Sequence, residues 1–322
     1  MRLGVKRCDD VIGRRDGGQA SQRMVRVCAL LICALSVAAQ GCAEDGGAAG
    51  EGSLAFTVSG EERAVEGFPS LTERKTPFVD GWSVRFTKVL VSVGDVTIAA
   101  TGGATRSDAT TYVMDLSKGD ADLLTFTGVE AQRWDRVSWA IKAPGDGAQA
   151  LGDVSAEDIA QLRSAGANYL IEGTATKADL AYTFSWLISN PTQNTDCTNG
   201  EDQTAGVVVP VNVIAQAQMT IHLDHLFWDR LGAESTALRF DAIAAAAGDD
   251  KHITWDELES QRLSDLTGID GQPLRDEAGA LLTYDPGSVA LSDLNLKAFM
   301  ATASATSAHL NGSGLCTVKR AQ

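Results

Sequence analysis

The chain holds four histidines, His222, His225, His252 and His309, all in its last third. In His222-Leu223-Asp224-His225, an extended strand would put His222 and Asp224 on one face, with His225 where the chain turns. If a C-terminal helix folds back over the sheet, His309 joins them. Imidazoles beside a carboxylate suit zinc or copper, so His222, Asp224, His225 and His309 form the candidate transition-metal set. The competing reading is that each imidazole hydrogen-bonds backbone at a strand or helix end. The spacing matches neither HExxH nor a zinc-finger pattern. There is no GxSxG elbow, Walker loop or Rossmann glycine pattern, and no reaction is identified. Trp82, Trp134, Trp139 and Trp186 could stack on sugars, but they alternate with apolar neighbours, which favours core packing.

A second cluster lies at Gly248-Asp249-Asp250-Lys251-His252-Ile253-Thr254-Trp255-Asp256-Glu257-Leu258. This segment resembles the latter part of an EF-hand loop, with Ile253, Thr254 and Glu257 at the family's offsets and Asp250 at its third ligand position. The resemblance implies calcium held by Asp249, Asp250 and Glu257. It departs from the family at Ala246 and Gly248, where the first two ligands belong, and at Lys251, where the family has the turn glycine. The alternative is a helix–loop–helix join in which Thr254 caps the second helix and Asp256 and Glu257 favour its N-terminus.

Residues 24–42 start with Arg26, continue through an apolar run over residues 27–39 and reach Cys42 after small residues. That is the layout of a secretory signal peptide, and the run is short of the ~20 residues a membrane span needs. The ending Ala39-Gln40-Gly41-Cys42 resembles the lipobox of bacterial lipoproteins. The resemblance implies cleavage before Cys42, a lipid on that cysteine and attachment to a cell-envelope membrane, in the periplasm or at the surface. Residues 1–23 read as an extension ahead of the true start, 24–41 as the signal peptide, and 42–52 as a flexible polar tether.

Of six cysteines, Cys8, Cys28 and Cys33 precede that cleavage point, and the resemblance implies that Cys42 carries the lipid. Cys197 and Cys316 remain, and an oxidising compartment predicts a disulfide between them. Residues 1–41 contain 7 of the 27 Lys and Arg and 3 of the 42 Asp and Glu, so the rest carries a net charge near −19. An acidic body excludes nucleic acid as partner, because phosphates call for basic patches. It leaves a binding or structural role, with the protein or envelope partner unspecified.

The elements that must position these groups are mostly strands. Alternation predicts strands over residues 53–59, 81–100, 111–116, 134–142, 180–188 and 207–224. In the second of these the phase changes between Phe86 and Val89, which predicts a bulge. In the last, Val211, Val213, Ala215, Ala217, Met219, Ile221 and Leu223 should face the core. Residues 120–126 read as a helical turn and 190–204 as a polar loop. Ser155 and Asp158 approximate a capping box opening a helix that Gly166 ends. Residues 227–231, 237–247, 254–263 and 291–310 read as helices. Strands first and helices last predict a mainly β, α+β protein: an antiparallel β-sandwich-like body over 53–224, with a helical segment, 225–322, packed on it. The strands before Pro144 resemble bacterial lipoprotein β-sandwich domains of unknown function.

Overall fold

The alternating patterns build strands in the computed structural model, which describes residues 50–232 and 236–320. The signal peptide, Cys42 and most of the tether lie outside the described residues. In chain order the elements are β1 (Glu51–Ser59), α1 (Glu61–Glu66), β2 (Ser83–Ala99), β3 (Thr105–Asp115), β4 (Ala121–Glu130), β5 (Arg133–Trp134) and β6 (Arg136–Ile141). There follow β7 (Gln149–Ala150), α2 (Ala156–Ala165), β8 (Tyr169–Lys177), β9 (Leu180–Ile188), β10 (Thr192–Thr195), β11 (Val207–Val208) and β12 (Ile214–Ile221). The last are α3 (Asp241–Ala245), β13 (His252–Thr254), α4 (Leu296–Ser304), β14 (Ala308–Leu310) and β15 (Thr317–Arg320). The fold is mainly β with a few helices, one of them near the C-terminus.

Two main sheets share one core, and a two-stranded ladder pairs β11 with β5. The smaller main sheet has the order β14-β12-β1-β4; the larger runs β13-β9-β8-β2-β6-β10-β15, with β3 also on β2 and β7 on β3. The sheets are mixed: most pairs are antiparallel, but β1 and β12 run parallel, as do β13 and β9 and the short β3 and β7. Leu54, Phe56 and Val58 of β1 meet Val89, Val91 and Val93 of β2 in the main core, which also takes in all four tryptophans named above, each fully buried. The opposite face of β2 is covered too. Leu90 packs with Ile159 and Leu162 of α2 in a second cluster. The phase change in β2 is a register shift between Phe86 and Lys88 against β8. Helix α2 opens on a full Ser155/Asp158 capping box and ends at Gly166 with φ +61°, a left-handed position that suits glycine.

Three local expectations are corrected. Residues 121–130 form a strand, not a helical turn, because Leu124, Thr125 and Phe126 pair with β1. Part of the polar loop is strand β10, which joins β6 to β15. Helical structure after Asp224 is shorter than expected. Residues Leu223–Phe227 and Glu257–Ser260 are 3-10 turns. Helix α4 begins only where the Asn295 side chain caps the Ala298 amide. It stops at Ser304 because Thr306 and Ser307 turn their hydroxyls back to the carbonyls of Ala303 and Ser304, competing with further helix. His309 therefore sits on a strand and not at a helix end. Strands β13, β14 and β15 carry the C-terminal segment into the same two sheets. Among the described residues no helix is long and apolar enough to cross a membrane.

Candidate functional site: a histidine-floored pocket

Strand pairing brings the three histidines together. In the antiparallel ladder of β12 and β14, Thr220 stands opposite His309 and Ile221 opposite Ala308, and the His222 amide continues the ladder by donating to the Ser307 carbonyl at 2.8 Å. His222 and His309 are thus diagonal neighbours on one face, with ring centroids 4.7 Å apart. Beyond His222 the chain makes the Leu223–Phe227 3-10 turn, in which residues three apart eclipse. His225 accordingly lies over His222, the rings 5.6 Å apart and 13° from parallel. His225 and His309 are 5.6 Å apart at 81°. Asp224 hydrogen-bonds none of the three rings. The carboxylate that does face the cluster is Glu61 at the start of α1, 3.3 Å from His222 Nδ1.

Hydrogen bonding divides the protons unequally. His222 has an acceptor on each ring nitrogen, Glu61 at Nδ1 and the Gly312 carbonyl 3.0 Å from Nε2. Burial opposes its charge, but these two acceptors outweigh burial and hold its pKa above the ordinary value. The same contact holds Glu61 below the ordinary carboxylate range. His225 is buried, and burial, followed by the charges of His309 and His222, pushes its pKa down to about 2. His309 is lowered for the same reasons, burial first and then His222.

The tautomers follow from the partners. Thr306 Oγ1 donates to the Ala303 carbonyl at 2.8 Å, so it can only accept from His225 Nδ1, 2.9 Å away. This leaves His225 Nε2 with a bare lone pair and no hydrogen bond among the described residues. His309 Nε2 donates to the Thr306 carbonyl at 3.0 Å, and its Nδ1 is buried without a partner among the described residues.

Both imidazoles line a pocket of about 610 Å³. Trp228 and Leu231 form one wall, Val289, Thr302, Ala305 and Thr306 another, and Leu315, Val318 and Arg320 the third. Trp228 stacks on His225 with centroids 3.5 Å apart. The Thr302 and Thr306 hydroxyls are spent on the backbone of their own helix and turn. The polar groups left to meet a ligand are the His225 lone pair and the Arg320 guanidinium. A space of this size with apolar walls and few directed polar groups is typical of small-molecule sites.

No protein-family model matches this chain, and no curated protein or solved structure matches it.

The EF-hand-like loop is built differently from the pocket. Lys251 adopts φ +56°, so the sharp turn forms without the family's glycine. Ile253 is fully buried and pairs with Phe184 of β9, so the protein's own sheet edge occupies the place of a partner loop. Glu257 Oε2 accepts from the Thr254 amide at 2.7 Å and hydroxyl at 2.8 Å, and Asp250 Oδ1 accepts from the His252 amide at 3.0 Å. The two carboxylates bracket Gly248, where a Cβ would stand 3.7 Å from Glu257 Oε1 and 3.9 Å from Asp250 Oδ1. Asp249 is exposed. Among the described residues no group of three or more His, Cys, Asp or Glu side chains is arranged to hold a metal ion.

Cys197 and Cys316 form a disulfide, sulfur to sulfur 2.10 Å. It lies beside β15, which carries Val318 and Arg320 to the pocket. Sequence reasoning did not single out Glu61, Trp228, Thr306 or Arg320. Glu61 in particular reaches His222 across 161 positions through the pairing of β1 with β12, and no local pattern encodes that contact.

Proposed function

We propose that this chain is a lipid-anchored protein of the bacterial cell envelope, tethered at Cys42, whose folded part binds a small molecule in the histidine-floored pocket. The lipobox-like ending at Cys42 supports the anchor. The observation that supports the site is the bare Nε2 of a buried, neutral His225 at the floor of an apolar cavity. With Nδ1 committed to Thr306, Nε2 is the ring atom left to accept from a donor in the pocket. The ligand that fits has an apolar body against Trp228, Ala305 and Val318 and one hydroxyl or amine that donates to His225.

Native mass spectrometry of the purified protein reads a bound ligand directly, and Trp228 fluorescence follows its rebinding. Filling the space with Ala305→Leu should abolish both signals while melting stays cooperative. Retention of both by that variant would end the pocket reading.

A second reading uses the same histidines for zinc or copper. It is favoured by the convergence of three rings within 4.7–5.6 Å and by the buried, unpartnered Nδ1 of His309. It requires His222 to give up Glu61 or Gly312 if it is to become a third ligand. Elemental analysis and titration with Zn(II) and Cu(I) separate the readings, since a chain with no affinity for either ion holds only the organic ligand. Calcium at Asp249, Asp250 and Glu257 is a separate proposal, supported by the approach of two carboxylates to Gly248. Melting midpoints unchanged by calcium and by EDTA would remove it.

A further inference from the structure

The strongest exposed apolar feature is the turn that leads into β12. Val208 is 48 % exposed, Val211 52 %, Val213 48 % and Ile214 61 %. Val211 and Val213 were expected to face the core, so this is a correction. The turn at Asn212, which takes φ +57°, carries the chain past the edge of the sheet before alternation resumes at Ala217, Met219 and Ile221. Four aliphatic side chains within seven residues each keep roughly half or more of their surface exposed. A contiguous exposed apolar patch marks a surface that something covers.

The start of the folded chain lies against this turn. The Asn212 amide donates to the Glu51 carbonyl at 2.8 Å and the Ser53 amide to the Val213 carbonyl at 3.0 Å. Gly50 abuts Val211, where an added Cβ would stand 2.6 Å from Val211 Cγ1. Cys42 is eight residues before Gly50, so a fully extended link reaches at most roughly 28 Å. A lipid on Cys42 therefore keeps this rim within one short tether of the bilayer.

We infer that the Val208–Ile214 rim seats on the lipid surface of the membrane that anchors the chain, with Val211, Val213 and Ile214 entering the headgroup region. This inference rests on the lipid-anchor reading above. The contact is apolar in origin. The body carries a net charge near −19 and Glu51 sits beside the rim, so attraction to anionic headgroups cannot hold it. Leu71, 83 % exposed, provides a contrast. It follows α1, at the far end of β1, about a strand length from the rim.

The test uses the full acylated chain reconstituted into phosphatidylcholine vesicles, with an NBD fluorophore on Val213→Cys, Ile214→Cys or Leu71→Cys in separate preparations. The seat predicts blue-shifted emission at positions 213 and 214, quenched by doxyl-labelled lipid at least twofold more than at position 71. Equal weak quenching at all three positions, in chains that float with the vesicles, overturns the seat and leaves the anchor intact. Shielding at 213 and 214 from both doxyl lipid and aqueous iodide identifies a second copy or another protein as the cover, and also overturns it. Chains that neither float nor show an acyl mass at Cys42 overturn anchor and seat together.

Discussion

His222 and His225 lie one over the other, yet the protein shifts their pKa values in opposite directions. Against its burial, Glu61 and the Gly312 carbonyl hold the His222 pKa above the ordinary value. His225 refuses a proton because burial and two neighbouring imidazoles disfavour the charge, leaving its pKa at about 2 against an ordinary value of 6.5. An unfolded chain protonates His225 below pH 6.5 while the folded chain does not. The stability that neutral His225 contributes is therefore complete above pH 6.5 and is lost progressively as pH falls below it, by about 2 kcal/mol at pH 5. His309 adds to this loss in the same direction. His222 acts oppositely: its raised pKa adds stability below pH 6.5 that disappears as pH rises through the folded value. His225→Gln should flatten the decline between pH 7 and pH 5, read from denaturant midpoints at each pH. An unchanged slope would mean that His225 titrates normally in the fold. The meeting of His222, His225 and His309 was legible in the sequence as a condition on how the last segment folds back. Their partners were not, because Thr306 and Glu61 reach the rings through tertiary pairing rather than through spacing.

At the level of elements, the pocket depends on parts of the chain distant from one another. Helix α4 packs on the turn that carries His225, β14 supplies His309, and β15 brings the wall of Val318 and Arg320. Among the described residues β15 pairs only with the four-residue β10. The Cys197–Cys316 disulfide reinforces this edge by closing a loop of 119 positions, a constraint on the unfolded chain of up to roughly 5 kcal/mol. Replacing both cysteines by serine should lower the unfolding free energy, read by denaturant titration, by an amount approaching that figure and weaken the Trp228 response to ligand. A loss of stability with ligand response intact would show that β15 holds its place without the covalent link. Strands with clear alternation, β9 and the two ends of β2, were readable because burial on one face leaves a period-two signal. The C-terminal helices were overread. Ala-rich stretches such as residues 291–310 favour helix locally, but Asn295, Thr306 and Ser307 set shorter limits, and Ala308–Leu310 gains more by completing the ladder on β12.

For the whole molecule, the parallel pairing of β1 with β12 fixes a polarity that composition cannot show. Ser53 stands opposite Ile214 at one end of the pair and Ser59 opposite Thr220 at the other. Both strands start at the exposed valine rim, where the tether enters, and both end near Glu61 and His222. Six residues of strand place about 20 Å between these ends. The rim was invisible in the sequence because the same alternation that buries Met219 and Ile221 continues back through Val211 and Val213, and only the turn at Asn212 takes those two out of the core. If the proposed anchor at Cys42 holds, it and the pocket should work independently. Cys42→Ser should move the chain from the membrane fraction to the soluble envelope fraction, while ligand affinity measured through Trp228 stays within threefold of the acylated form. A larger change would mean that the tether or the bilayer reaches the pocket. The parallel strands would then join the two ends as one site instead of holding them apart.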